Sequence, residues 1–199
     1  MMYLSRVVLD PRNPSVRQAL KDRQDMHRNL IQIFQEPILY RLMESRQSLE
    51  VYTLSPSIPD KILFQGKGMT LQSSLDLADL REKYKEGAIF RFNLLASPSK
   101  KKKEEDRLNS RRIFLPTVEE RLSWMKRQGE KYGFDVLAAQ EPSAEQRLYI
   151  GRKSGSFMIT AIEITGTLQI RDASLFWNSW EKGIGAEKAY GLGLMLLSR

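Results

Sequence analysis

Apolar and β-branched residues run together over Tyr3–Leu9 and stop at Asp10-Pro11, a pattern that predicts a buried strand. Pro14 and Ser15 then open a stretch in which Val16, Leu20, Arg23, His27, Leu30 and Phe34 recur at spacings of three and four, with Ile31 alongside. That period predicts a helix. The wholly polar residues 21–25 predict a break or loop within it, and Pro37 ends it. Residues 38–43 and 49–54 read as two strands joined by a polar turn, and Pro56, Pro59, Gly66 and Gly68 mark a long connection. A weaker helix is expected over 75–84, stopped by Gly87, followed by a strand over 88–96 closed by Ser97-Pro98. The order βαββαβ over residues 1–98 predicts a ferredoxin-like unit, because helices and strands of this kind each leave an apolar face that must be covered.

Residues 100–112 break the pattern, with seven basic and three acidic residues and almost no apolar side chain. Residues 99–112 are therefore expected to be a basic linker or loop between units. The alternation then resumes. A short strand is expected at 113–115, and Pro116-Thr117 opens a helix striped by Val118, Leu122 and Met125 that ends at Gly129 or Gly133. Strands are expected over 134–139 and 157–170, the second bending at Gly166, with a hairpin over 147–156 tipped by Lys153-Ser154-Gly155. Asp172 caps a last helix through Trp180, and 192–197 is the final strand. Residues 113–199 thus predict a second unit. The fold class expected is α+β, with tandem ferredoxin-like (βαββαβ) domains and RRM-like antiparallel sheets.

Composition narrows the chemistry. The 199 residues carry a net charge of +8, which favours an acidic partner. The absence of cysteine excludes disulfides, thiolate metal sites and cysteine nucleophiles, and one histidine leaves little to hold a soft metal. No metal or other cofactor is expected. No apolar run is long enough to span a bilayer and the first residues lack a secretory pattern, so a cytoplasmic protein with no membrane partner is expected.

His27 is the only side chain whose unperturbed pKa lies near neutrality, which makes it the first acid–base candidate. It also falls on the apolar series of its helix, where a packed histidine is the competing explanation. Lys100, Lys101, Lys102 and Lys103 offer closely spaced ammonium groups of the kind that contact a phosphate backbone, or simply a solvated linker. Arg147, Arg152 and Lys153 surround the expected hairpin tip, where a basic ribbon can enter a duplex groove, while Tyr149 is open to packing or to stacking on a base. Gly183, Gly185, Gly191 and Gly193 lie between helix and strand, where glycines let backbone N–H groups approach an anion. Their spacing is neither that of a Walker loop nor that of a dinucleotide fingerprint.

Four stretches together carry a family resemblance. They are the MYLSRV strand at 2–7, Met26-His27-Arg28-Asn29-Leu30, the strand 90–98 followed by Lys100, and the string GIGAEKAYGLGLMLL at 183–197. The chain resembles the CasE family, the CRISPR RNA-processing endoribonucleases of type I-E systems, over nearly its whole length. The resemblance implies metal-independent cleavage of the repeat stem-loop in precursor CRISPR RNA. The ribose 2′-OH attacks the adjacent phosphate, leaving a 2′,3′-cyclic phosphate or its opened form and a 5′-OH. The product hairpin is expected to stay bound, within a Cascade-type complex of other subunits.

By the same resemblance His27 matches the family histidine, a general base or acid, and Lys100 is a second catalytic candidate. Arg23, Arg28, Lys101, Lys102, Lys103, Arg107, Arg111, Arg112, Arg147, Arg152, Lys153 and Lys188, with the four glycines, are candidate RNA contacts. Two departures stand out. Gln24 occupies a position three residues before the histidine where some members carry tyrosine, so the transition-state charge would rest on Lys100 or another cation. Leu94 and Leu95 fill a strand that tends to be richer in arginine, which implies fewer RNA contacts there. Gln24 favours an alternative, a non-catalytic subunit that holds the RNA hairpin without cutting it. A protein-interaction scaffold whose charge serves solubility is a third possibility.

Overall fold

The structure, a computed structural model, describes residues 2–45, 47–102 and 111–199. The chain begins with strand β1 (Tyr3–Leu9), then helices α1 (Pro14–Lys21) and α2 (Arg23–Phe34). Asn13 accepts a hydrogen bond from Ser15 N and Pro14 takes the first helical position, where its missing N–H is no loss. The polar break at 21–25 contracts to one residue. Asp22 is extended, ending α1, and its carboxylate caps α2 at Gln24 N. Met26, Leu30, Ile33 and Phe34 form the buried face of α2 and pack with Val7, Tyr40 and Val51. Each such side chain contributes about 1.5–3 kcal/mol by leaving water.

Strands β2 (Leu39–Glu44), β3 (Leu49–Ser55) and β4 (Met69–Asp76) complete a first sheet in the order β2-β3-β1-β4, antiparallel throughout. This is the fourth, first, third, second order of a ferredoxin-like unit, but its second helix is reduced to the 3₁₀ turn Lys61–Phe64. The helix expected over 75–84 is absent. Residues up to Asp76 form β4, and Asp76 then caps a 3₁₀ turn, Leu77–Leu80.

The remaining strands are β5 (Ile89–Ala96), β6 (Ser99–Lys102), β7 (Arg111–Phe114), β8 (Phe134–Gln140), β9 (Gln146–Arg152), β10 (Gly155–Ile170) and β11 (Met195–Ser198), with helices α3 (Val118–Tyr132) and α4 (Ala173–Lys182). Thr117 and Asp172 cap the two helices, and Gly133 closes α3 at φ 78°. The second sheet runs β11-β5-β10-β8, the same order as the first. Two corrections follow. β5, expected to close the first unit, is the first strand of the second, paired with β10 and β11. The strand expected at 113–115 lies in β7, which pairs only with β6 in a two-stranded ribbon. The connection between the sheets therefore runs through 77–88, and the basic residues around 100 belong to a ribbon inserted after β5.

Leu39 and Leu54 of the first sheet share a core with Phe92, Leu94 and Ile164 of the second. Arg41 on β2 crosses the same junction, donating to Asn93 Oδ1 at 3.2 Å and Glu163 Oε1 at 3.4 Å, while Asn93 Nδ2 donates to that carboxylate. Burial pushes the Arg41 pKa down to about 10 against the opposing pull of Glu163. Among the described residues no helix is long and apolar enough to cross a membrane.

Candidate nucleic-acid interface

The second unit adds to its sheet a hairpin of β9 with the first half of β10, turned at Lys153 and Ser154. Leu148, Ile150 and Ile159 on its inner face pack with Leu95, Tyr190 and Leu192, anchoring it to β5 and to the glycine-rich segment. Among the described residues β9 pairs only with β10, so its other edge presents backbone N–H groups. Asp22 occupies that edge. The carboxylate that caps α2 also accepts the Gly151 N–H, at 3.0 and 3.2 Å from its two oxygens. Any Cβ at residue 151 would overlap Asp22 Oδ2, so glycine is what permits the approach. The helix carrying His27 is thereby fixed against the basic hairpin.

The glycine-rich segment comes to the same place. Its 3₁₀ turn Lys188–Tyr190 packs against α2 and β2. Gly191, at φ 84°, lies over Tyr40, whose ring would stand 2.7 Å from an added Cβ. The buried Tyr40 hydroxyl donates to the Arg23 carbonyl at 3.3 Å.

His27 follows Arg23 by four residues and so shares its helix face. Its ring is half-buried, and Nδ1 is sealed from solvent without a hydrogen-bond partner, which leaves Nε2 as the outward-facing nitrogen. Burial lowers its pKa, so the ring is neutral at pH 7 and can take up a proton. Burial also lowers the Arg23 pKa, opposed by Tyr40 and Glu44, and Arg23 has no ion pair among the described residues. Arg152 donates to the Tyr190 hydroxyl and lies over the Phe157 ring at 4.8 Å and the Tyr190 ring at 5.8 Å. Its guanidinium is held in place with no carboxylate neutralising it among the described residues. Lys188 has its pKa lowered by burial and by Lys131 and Lys182, which marks a concentration of positive charge around the turn.

Other sequence candidates lie elsewhere or further out. Arg28 pairs with Asp25 at 2.8 Å and lines a groove on the α1 side with Pro14 and Gln18. Lys100 lies on the ribbon with its Nζ 3.5 Å from Glu120 of α3. Lys101 and Arg112 are exposed on the ribbon, and Lys102 and Arg111 pair along its backbone. Lys103 and Arg107 lie outside the described residues. Arg147 and Lys153 are exposed on the hairpin. Gly183, Gly191 and Gly193 are buried, and their positive φ values serve tight packing, with Gly193 N donating to Leu95 O at 2.9 Å and Ile184 N to Gly193 O at 2.8 Å. Gly185 is only partly covered.

The family model described as CRISPR associated protein matches residues 2–199. The chain belongs to that family. Within the CRISPR-associated proteins it is 27% identical to the CRISPR-associated endoribonuclease Cse3 of Thermus thermophilus, over 98% of both chains. Its fold matches Thermus thermophilus Cse3 bound to an RNA representing a pre-cleavage complex, with a TM-score of 0.85 at 24% identity, over 100% of this chain and 99% of that one. It also matches Cas6e from Escherichia coli K-12, with a TM-score of 0.75 at 22% identity, over 98% of each chain.

This CRISPR-associated protein also holds functional groups that sequence reasoning missed. Asp22 looked like part of a polar break, Tyr40 like a strand residue and Phe157 like the start of a core strand. Tyr190 stood inside the glycine string without a role. Asp22 and Tyr190 share one readable signal, a polar group beside a candidate site; their partners 129 and 38 residues away are visible only in the fold.

Proposed function

We propose that this protein is the endoribonuclease that processes precursor CRISPR RNA, cutting the repeat at its stem-loop. The observation that carries the reading is the position of His27. A neutral imidazole, one nitrogen facing outward, stands on a helix clasped to a hairpin that carries Arg147, Arg152 and Lys153 and no carboxylate. Cationic groups attract the RNA backbone, and the base then acts on it.

In the reaction His27 Nε2 takes the proton from a ribose 2′-OH. The 2′ oxygen attacks the adjacent phosphorus in line with the departing 5′ oxygen, and the P–O5′ bond breaks. The 5′ oxygen takes a proton from water and leaves as a 5′-OH, the phosphate closes to a 2′,3′-cyclic diester, and the imidazolium returns its proton to the hydroxide so formed. The RNA supplies the nucleophile, so no metal-bound water is needed. Arg23, on the helix face of His27, and Arg152, held by two rings, are the cations assigned to stabilise charge on the phosphorane. Lys100 acts from the ribbon, where breaking its exposed pair with Glu120 costs little. The protein works in the cytoplasm, keeps its product hairpin and joins other subunits of a CRISPR surveillance complex. Each half, 2–76 and 89–199, acts as one ferredoxin-like domain.

The test is incubation of the purified protein with the repeat encoded beside its own gene, followed by analysis of product ends. The expected result is a cyclic phosphate and a 5′-OH, formed equally in EDTA and abolished by a 2′-deoxy substitution at the cut. Binding without cleavage by the unaltered protein would establish instead the non-catalytic holder, the reading that Gln24 favours.

A further inference from the structure

The apolar patch on the outer face of the hairpin has no part in the reaction described above. Strand alternation sends Leu148 and Ile150 inward and Arg147 and Tyr149 outward, and on the partner strand Met158 stands directly opposite Tyr149. Tyr149 is 45% exposed and Met158 is 51% exposed, although both are large and largely apolar. No described ring stacks on Tyr149, and its hydroxyl makes no hydrogen bond among the described residues. The ring leans along the edge that Asp22 occupies, with Cε1 3.5 Å from where a Cβ of Gly151 would be. It therefore lies beside the N-terminus of the helix that carries His27.

We infer that Tyr149, backed by Met158, is the platform on which an unpaired nucleotide of the RNA stacks beside the cleavage centre, and so a residue that sets substrate choice. The inference rests on the RNA-processing reading and deepens it. An aromatic face left open at a strand surface offers stacking to any base, and unpaired bases are the part of an RNA that can be splayed onto a side chain. Charge selects this occupant over a protein surface. Residues 146–160 include Arg147, Arg152 and Lys153 and no acidic residue, so the ring is framed by groups suited to phosphates on either side of a base. Met158 also borders a groove of about 210 Å³ lined by Arg112, Phe114, Phe157 and Glu187, which extends the exposed surface toward the ribbon. Phe157 differs from Tyr149, since its ring is engaged by Tyr190 and by Arg152.

The competing explanation is that Tyr149 and Met158 form only a cross-strand pair that stabilises the hairpin. The experiment uses the full chain and the repeat RNA, blocked by a 2′-deoxy group at the cut and carrying 2-aminopurine in turn at each unpaired position next to the stem. With the unaltered protein, 2-aminopurine fluorescence is expected to be quenched on binding at one of these positions. Tyr149→Ala should abolish that quenching and weaken binding about tenfold, Tyr149→Trp should preserve both, and an RNA abasic at that position should bind the unaltered protein and Tyr149→Ala equally. Unchanged quenching with Tyr149→Ala, or an equal loss of affinity for intact and abasic RNA, would overturn the inference while leaving the nuclease reading in place. So would loss of thermal stability alone, or a defect seen only when other subunits are added, which would assign the patch to a protein contact. Failure of the unaltered protein to bind the repeat would instead remove the RNA-processing reading itself.

Discussion

The two halves of the molecule arrange their four main strands in one order and use them differently. The first sheet supports a pair of helices and contributes a single chemical element, α2 with Arg23 and His27. The second sheet carries additions, namely the β6–β7 ribbon, the β9–β10 hairpin and the glycine-rich segment before β11, and most of the candidate contacts lie on them. One half carries the candidate base with a single candidate cation, Arg23, and the other carries most of the candidate cations. The difference shows that a repeated scaffold need not repeat its surface, and it puts the candidate site at the seam between the halves.

The sharpest test of this division removes the base. His27→Ala should lower single-turnover cleavage by about 10²–10⁴-fold while leaving RNA affinity within twofold, as measured by gel shift on a 2′-deoxy substrate. A large loss of binding would mean that the first half also holds the RNA. Next in size is the buried junction. Arg41→Ala should lower stability by about 3–5 kcal/mol, read from urea unfolding, because Glu163 and Asn93 lose the cation that faces them. Gly151→Val strikes the seam without touching either core. Its side chain displaces the Asp22 carboxylate, and a shift of about 1 Å between base and hairpin should slow cleavage about 10²-fold, while stability falls by no more than the ~1 kcal/mol of a lost helix cap.

Smaller effects separate the two contributions further. Arg152→Gln and Lys153→Gln should each reduce the slope of log affinity against log salt by about 1, whereas substitutions on α1 should not change it. The acid limb of the cleavage profile should fall at a midpoint below the ordinary imidazole value of 6.5, because burial disfavours the charged ring. The sign for stability agrees. The unfolded chain protonates first as pH drops below that value, so the folded state loses stability between the unfolded and folded pKa of His27.

Most strands and helices were legible because their periods are clear, and Pro14, Thr117 and Asp172 mark helix starts in the sequence. The grouping of strands was not. β5 has the same apolar character whether it closes one sheet or opens the next, and only its pairing with β10 and β11 decides. β4 was misread for a specific reason. It is an edge strand with mostly exposed residues, and its end runs into Leu77, Leu80 and Tyr84, whose spacing imitates a helix while they pack into the second core from a 3₁₀ turn and the loop after it. At the site, His27 and the basic residues could be named from residue type and resemblance. The clasp between Asp22 and Gly151 could not, since neither residue signals a partner so distant in sequence.

That clasp and the Tyr40–Gly191 contact have a consequence for how the protein comes into being. Residue 27 leaves the ribosome before the surfaces it faces, which belong to residues 147–191. Until then a nascent chain holds an imidazole with nothing opposite it, and a fragment that stops short of the glycine-rich segment is expected not to cut. The order of synthesis thus delays assembly of the candidate site until the glycine-rich segment has followed the hairpin out of the ribosome.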